Sequence, residues 1–408
     1  MVLLLHPTRG ATTLRCTKNS CETSLQGETV LCSGNDAGHG SVKREAVTVS
    51  IQQGRLQESP LQEAPARISG NLPGTQRTTG KLLATQGYVV GIEISGSGTR
   101  QSVALADLNG TILQRVRRPL EYVLDTKTVL QLLNGMLAEV MAPDHLQDGR
   151  VLRVGVAVGG LVDAAHGVVR TLHHAHGWDN FPLQDYLAER LDIPCIIDNN
   201  ANAAALAEVQ YGAGMGERVV LYVALGRGIG GGMIINGRVY HGTTCTAGEI
   251  GHLLVKENGP KCSCGGFGHL EAIASAQAIS RTMIGLSVEY PETEAAIHRI
   301  TGARAERITA EQVFRLAAEG DRVAQRIVDD VHTYLGIALA NIVHLINPGM
   351  IILGGPVAQA GDLLIVPLQA RIRDLCLPAA GEDLRVVQGR LGTEANIVGA
   401  VTLALQDI

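Results

Sequence analysis

From Tyr88 onward the chain alternates apolar and polar positions in regular blocks, and before it there is no such order. The segment GYVVGIEISGSGTRQSVALADLNGTILQRVRRPL (87–120) reads as strand, glycine-rich turn, strand, turn at Asn109-Gly110 and strand, which predicts an antiparallel meander. TKTVLQLLNGMLAEVM (126–141) follows as a helix, RVGVAVGGLVD (153–163) as a buried strand, IPCIID (193–198) as another short strand, and AAALAEVQYG (203–212) as a helix ending at glycine. The same order starts again at RVVLYVALGRGIGGGMIINGRVYHG (218–242): strand, glycine turn, strand, turn at Asn236-Gly237, strand. Helical patterns come next at 270–285, 310–320 and 321–347, the last stopped by Asn347-Pro348-Gly349, and MIILGG (350–355) is a further buried strand. Two meanders, each followed by helices and another strand, predict an α/β duplication: two lobes with a cleft between them. Such a cleft suits a ligand gripped by hinge closure.

Composition sharpens this picture. Aromatic residues are 3% of the chain, hydrophobic residues 45%, and glycine supplies 49 of 408 positions, so the cores rely on aliphatic side chains and the backbone turns tightly and often. The formal charge of −5 excludes a surface built wholly to coat nucleic acid, although residues 1–87 are net basic and the remainder net acidic. That front segment has no Phe, Tyr or Trp and shows neither the strand nor the helix period. It is expected to be a mostly disordered or weakly folded extension, in which AVTVSI (46–51) offers only an isolated strand. The eight cysteines do not follow the spacing of a secreted disulfide framework, and the apolar run in MVLLLHPTRG is too short, with no basic residue before it, for a secretory signal. No run approaches the roughly 20 apolar residues of a membrane span. The expectation is a soluble, cytoplasmic protein that works without a membrane.

The densest chemistry lies in GEIGHLLVKENGPKCSCGGFGHLE (248–271), which offers His252, Cys262, Cys264 and His269. Two thiolates and two imidazoles suit a closed tetrahedral site, the arrangement of structural Zn2+. The bland alternative, free cysteines beside surface histidines, leaves the glycines packed among these residues unexplained. His173, His174 and His176 read as a solvated loop rather than a second metal site, and Trp178 as a packing residue rather than a platform for a sugar.

The run G-E-x-G-H followed by C-x-C-G resembles the ROK family, named for repressors, open reading frames and sugar kinases. GWDNFPL (177–183), NANAAALAE (200–208), LGRGIGGG (225–232), NPGMIILGG (347–355) and ANIVGAV (395–401) extend the resemblance over roughly residues 87–405. His269 stands where that family usually has a third cysteine. The resemblance implies an actin-like ATPase fold, hexokinase-like and ribonuclease H-like. Its lobes would be 87–205, joined by about 388–408, and 206–387, with residues 1–86 as an N-terminal extension.

Enzymes of that family carry [ED]-N-D-A-N at the junction where this chain has Asp198, Asn199, Asn200, Ala201 and Asn202. The family's acid acts as general base on the hydroxyl to be phosphorylated, so Asn200 occupies the base position and no catalytic residue is assigned. Rescue by Asp198 is disfavoured because adjacent strand residues point to opposite faces and Asp198 sits two positions before Asn200, where the strand is already turning. The family's first phosphate loop, D-x-G-G-T-K, is replaced by Glu93, Ser95, Gly96 and Ser97, with Gly98 at the lysine position; the second keeps Gly226 and Gly228 but has Arg227 where threonine is usual. With Gly354 and Gly355 these make a degenerate nucleotide site that can still form an anion nest. A sugar pocket is implied at Gly159, Gly160, Asn199, Asn200, Glu249, His252 and Glu271, with His252 shared between metal and sugar.

The resemblance thus favours a sugar-sensing, non-catalytic transcriptional regulator that binds a sugar or sugar phosphate, assembles as a homodimer or higher homo-oligomer, and contacts DNA if a reader precedes the sensor. Residues 1–86 show no winged helix-turn-helix; only GTQRTTGKLLATQGY (74–88) is similar to the family's usual linker, which raises an altered start or reading frame upstream of about residue 70. The alternative is an ATP-dependent sugar kinase, glucokinase-like or N-acetylmannosamine kinase-like, using ATP and Mg2+. A zinc-stabilised scaffold without ligand is the third reading.

Overall fold

The computed structural model describes residues 87–95, 100–119, 125–146, 149–172, 175–302 and 305–408, together with the backbone of four short stretches nearer the N-terminus. It divides into two compact units, Met1–Ala64 and Pro65–Ile408. In the first, β1 (Val2–Leu3) pairs with β2 (Leu14–Arg15) and β3 (Leu25–Cys32) with β4 (Glu45–Ile51), both antiparallel. The run expected as an isolated strand at 46–51 therefore has a partner. The rest of the extension and the linker-like stretch up to residue 86 lie outside the described residues.

The second unit contains two five-stranded sheets. In one, β5 (Gly87–Ile94), β6 (Arg100–Asp107) and β7 (Ile112–Pro119) form the antiparallel meander, and β8 (Arg150–Val158) pairs parallel to β5. The predicted strand 153–163 is broken by a bend at Gly159-Gly160, after which β9 (Leu161–Asp163) forms a hairpin with β10 (Val168–Thr171). Parallel β11 (Cys195–Asn199) completes the order β11-β8-β5-β6-β7. In the other sheet, β12 (Val219–Leu225), β13 (Ile229–Ile235) and β14 (Arg238–Val239) repeat the meander, and β15 (Met350–Gly354) and β16 (Arg385–Gln388) add in parallel. The resulting order, β16-β15-β12-β13-β14, copies the first strand for strand. The α/β duplication legible in the sequence is thus a duplication of connectivity.

Helices α1 (Thr126–Val140) and α2 (Leu183–Leu191) cover one face of the first sheet, burying Val129, Leu133, Leu183 and Leu187 among its strands. Trp178 is fully buried in this core, edge-on to Phe181 at 5.6 Å, and so packs as expected. Helix α3 (Asn200–Tyr211) runs unbroken through the division drawn at 205/206 and packs its alanines against Val220, Tyr222 and Ile234 of the second sheet. Close approach is possible because β13 carries Gly232, where a Cβ would lie 2.4 Å from the Ala201 carbonyl oxygen.

The second sheet is covered by α4 (Ala276–Ser287), α5 (Pro291–Thr301), α6 (Ala310–Ala318), α7 (Arg322–Ile346) and α8 (Asp362–Leu375). Their apolar stripes enclose an aliphatic core around Leu335, Leu339 and Leu353. Asp321 caps α7 by accepting the Ala324 N–H, and Asn347 ends it in the left-handed region at φ 43°. The helix predicted over 270–285 is instead divided at Ser275, which is extended and turns its hydroxyl to the Ala278 N–H to start α4. The last helix, α9 (Ala395–Leu405), returns to the first lobe and packs on β5, β8 and α3.

Candidate functional site

A cleft of 1010 Å³ opens at the carboxyl ends of the parallel strands, lined by the residues that leave β5, β8, β11, β12 and β15. Ligands of open α/β sheets bind in this position, where chain ends diverge and expose backbone groups. All seven residues expected to hold a sugar, Gly159, Gly160, Asn199, Asn200, Glu249, His252 and Glu271, line it. So do Glu93, Ser95, Gly226, Arg227, Gly228 and Gly355 of the expected nucleotide set. Gly354 does not: it is buried within β15, where a Cβ would fall 1.9 Å from the Tyr222 hydroxyl, so packing accounts for the glycine. Gly96, Ser97 and Gly98, like His173 and His174 of the histidine loop, lie outside the described residues.

The first-lobe wall is set by the junction of β11 and α3. Asn199 caps α3: its Oδ1 accepts the Ala201 N–H at 2.7 Å while its Nδ2 donates to the Gly160 carbonyl at 2.7 Å, tying the junction to the bend after β8. Asp198 is 3% exposed and is absent from the cleft wall. Its carboxylate accepts from the Asn199 N–H at 2.7 Å, from Asn202 Nδ2 at 2.9 Å and from His241 Nε2 at 2.7 Å. The hydrogen bond to Asp198, aided by its charge, raises the His241 pKa above the ordinary 6.5. Asn200 starts the helix, half-buried at the cleft, and among the described residues no hydrogen bond is made by its carboxamide. Deeper in the cleft, Glu93 is buried and accepts from Asn396 Nδ2 at 3.0 Å.

The second-lobe wall carries carboxylates. Glu271 accepts the Ile229 N–H at 3.1 Å with one oxygen and the Ser263 hydroxyl at 2.8 Å with the other, so it joins the glycine turn after β12 to the cysteine-bearing loop. Glu249 lies 3.8 Å from His252 Nε2. Arg227 is exposed above the turn, with its Nε 3.4 Å from Gln277 Oε1.

Behind this wall His252, Cys262, Cys264 and His269 bring one ligand atom each to within 4.8 Å of one another. Cys262 Sγ is 3.7 Å from His252 Nδ1, and Cys264 Sγ is 3.2 Å from His269 Nδ1. A tetrahedral zinc ion bonded at ~2.0–2.3 Å holds its ligands about 3.3–3.8 Å apart, so the donor set and its two cysteine–histidine pairs suit that metal, with the whole group within 4.8 Å. The loop reaches this geometry through Gly268, at φ 69°, where a Cβ would overlap the Lys256 carbonyl oxygen at 1.8 Å. Burial pushes the Cys262 thiol above its ordinary pKa, so a bound dication would have to supply the stabilisation of the thiolate. His252 turns Nδ1 to this cluster and Nε2 to Glu249, facing both sites at once.

Sequence reasoning passed over His241, Asn202 and Asn396. Asn202 and Asn396 fall inside motifs noted for other residues; His241 is 43 positions from Asp198 and no periodicity connects them.

The sequence profile of the ROK family matches residues 89–407. The chain is 32% identical over 326 residues to a glucokinase of Halalkalibacterium halodurans, covering 78% of this chain and 95% of that protein. It is 26% identical over 322 residues to a xylose repressor of Caldicellulosiruptor bescii, covering 79% of each. Among solved structures, a ROK family glucokinase from Streptomyces griseus in complex with glucose and AMPPNP aligns with TM-score 0.67 and 28% identity over 78% of this chain and 99% of that one. A ROK family transcriptional regulator, a homolog of the E. coli MLC protein, aligns with TM-score 0.67 and 27% identity over 78% of each.

Proposed function

This chain belongs to the ROK family, and from that membership we propose that it is a sugar-sensing transcriptional regulator whose kinase-like cleft binds a carbohydrate without phosphorylating it. The observation that carries the reading is Asn200. Phosphoryl transfer to a sugar requires a group that takes up the hydroxyl proton, and a carboxamide has no useful basicity near neutral pH. Asn200 stands at the cleft with an amide that bonds to none of the described residues, while the carboxylate two residues earlier, Asp198, is buried and held by three donors. Amide and carboxylate side chains on facing walls suit the vicinal hydroxyls of a pyranose, and His252 would orient the pocket while its other nitrogen completes a structural zinc site with Cys262, Cys264 and His269. The extent of matching supports the same branch: the aligned regulator, like this chain, has about a fifth of its length outside the shared domain, whereas the glucokinase is matched almost throughout. DNA contact would then require a functional reader on the N-terminal side of the sensor, with a cytoplasmic homodimer as the working assembly.

A second reading, an ATP-dependent hexose kinase, is favoured by the identity to named glucokinases and by the glycine turns that line the cleft. One experiment separates them. A coupled ATP assay with D-glucose, D-xylose and N-acetyl-D-mannosamine, run on the natural chain and on Asn200→Asp, accompanies calorimetric titration of the same sugars. The regulator reading expects sugar binding without turnover, and turnover that rises by ~10²-fold or more when the carboxylate is restored. Turnover by the natural chain at ordinary enzymatic rates establishes the kinase instead.

A further inference from the structure

We propose that His241 is a positioning residue of the cleft, which sets the spacing between its two walls by pinning the second-lobe loop to the first lobe; this rests on the sugar-binding reading above. His241 follows β14 in the second lobe, and Asp198 closes β11 in the first. The imidazole reaches across to the carboxylate at 2.7 Å, where the aspartate is almost wholly buried and the histidine is one-third exposed.

Each partner is fastened to its own wall by other bonds. The His241 carbonyl accepts the Ala247 N–H at 3.1 Å and closes the loop, which delivers Cys245, Ala247 and Glu249 to the cleft; the next turn, closed by the His252 N–H on the Glu249 carbonyl at 3.1 Å, delivers His252. Asp198, through the Asn199 N–H and Asn202 Nδ2, holds the first turn of α3, which presents Asn199 and Asn200. This hydrogen bond therefore joins two turns that carry opposite sides of the pocket, beside the packing of Ala201 on Gly230 and Gly232 of the second sheet. Removing its donor leaves one oxygen of a buried carboxylate without its protein partner, which is relieved by a shift of the two turns or by water entering between them. The junction and the loop move apart together, and with them the distance between the Asn200 amide and the Glu249 carboxylate. A pocket that reads vicinal hydroxyls responds to such a change in its selectivity, because sugars of different size meet both walls at different separations.

The test is calorimetric titration of D-glucose and D-xylose into the full chain and into His241→Leu, His241→Gln and Asp198→Asn, with a thermal melt of each. His241→Leu keeps the volume and removes the donor; it is expected to weaken the better-bound sugar about tenfold, the order of a hydrogen bond to a charged group, and to change the ratio of the two affinities. His241→Gln, which retains an N–H, is expected to recover most of both. If His241→Leu does not fold, Asp198→Asn carries the test, with an expected change of at least about threefold in the ratio. Wild-type affinities and an unchanged ratio in the folded variants overturn the pin and leave sugar binding intact. Failure of the natural chain to bind any of these sugars, with N-acetyl-D-mannosamine included, overturns both.

Discussion

The two walls of the cleft hang from sheets of identical strand order, yet the β11–α3 junction of the first presents amides, whereas the second wall carries carboxylates in front of a cluster of imidazoles and thiols. On the first wall the one carboxylate at the junction, Asp198, is consumed in holding the turn, and the residues left at the surface are Asn199 and Asn200. On the second, Glu249 and Glu271 line the cleft in front of the cysteine and histidine cluster, Glu271 while also joining the glycine turn to the loop through the Ile229 N–H and the Ser263 hydroxyl. Duplicated connectivity fixes where a ligand sits. What happens to it there depends on how each wall divides its polar groups between structure and solvent.

The largest expected effect falls on the second wall alone. Stripping the metal with a chelator, or Cys262→Ser, is expected to lower the melting temperature by about 10 °C and to accelerate hydrogen exchange over 252–270 while leaving α3 protected. Elemental analysis of the untreated protein should find zinc, and a chelator-insensitive melt with no metal would dissolve the contrast between the walls. Next comes Asn200→Asp, which places a carboxylate at the start of α3 and should raise sugar phosphorylation by the factor given above.

A third change tests what holds the walls in common. Glu208 is fully buried and accepts the N–H groups of Ala213, Arg390 and Leu391 at 2.8, 3.1 and 2.8 Å. Glu208→Ala strands all three donors and should cost about 3 kcal/mol in urea unfolding; a loss under about 0.5 kcal/mol would mean that water replaces the carboxylate without penalty.

The smallest effect concerns His241. Its folded pKa lies above the unfolded value, so the stabilisation from its bond to Asp198 is fully present below about pH 6.5 and disappears as pH rises through the raised folded value. Partial exposure limits this to ~1 kcal/mol or less. Between pH 6 and pH 9 the natural chain should therefore lose a further 1–2 °C or so of melting temperature relative to His241→Gln, and parallel curves would show that protonation does not strengthen the bond.

Much of this architecture could be read along the chain. The glycine-turned meanders announced the duplicated sheets, Asp321 and Asn347 bounded the longest helix almost to the residue, and the four metal-ligand candidates converge as their spacing suggested. Local signals sufficed there because each feature is decided within a few turns of backbone. Helix α5 was missed: it opens with Pro291 and buries only Thr293 and Ile297, too sparse a stripe to stand out. The break at Ser275 was hidden because a serine within an apolar period reads as tolerated, whereas its hydroxyl instead starts a new helix. Pairings such as His241 with Asp198, or Glu208 with Arg390 and Leu391, are made by the closing of one lobe on another, and no window of sequence contains both partners.

Glu208 sits where the polypeptide passes from the first sheet to the second, and the residues it grips at 390 and 391 belong to the return passage. Both crossings are thus riveted at a single point, as in a pair of scissors. Blades joined in that way cannot slide apart; they only change their angle, and a small turn at the rivet becomes a wide sweep at the tips. Any change in the angle of the cleft would then be widest at the rim farthest from that one buried side chain.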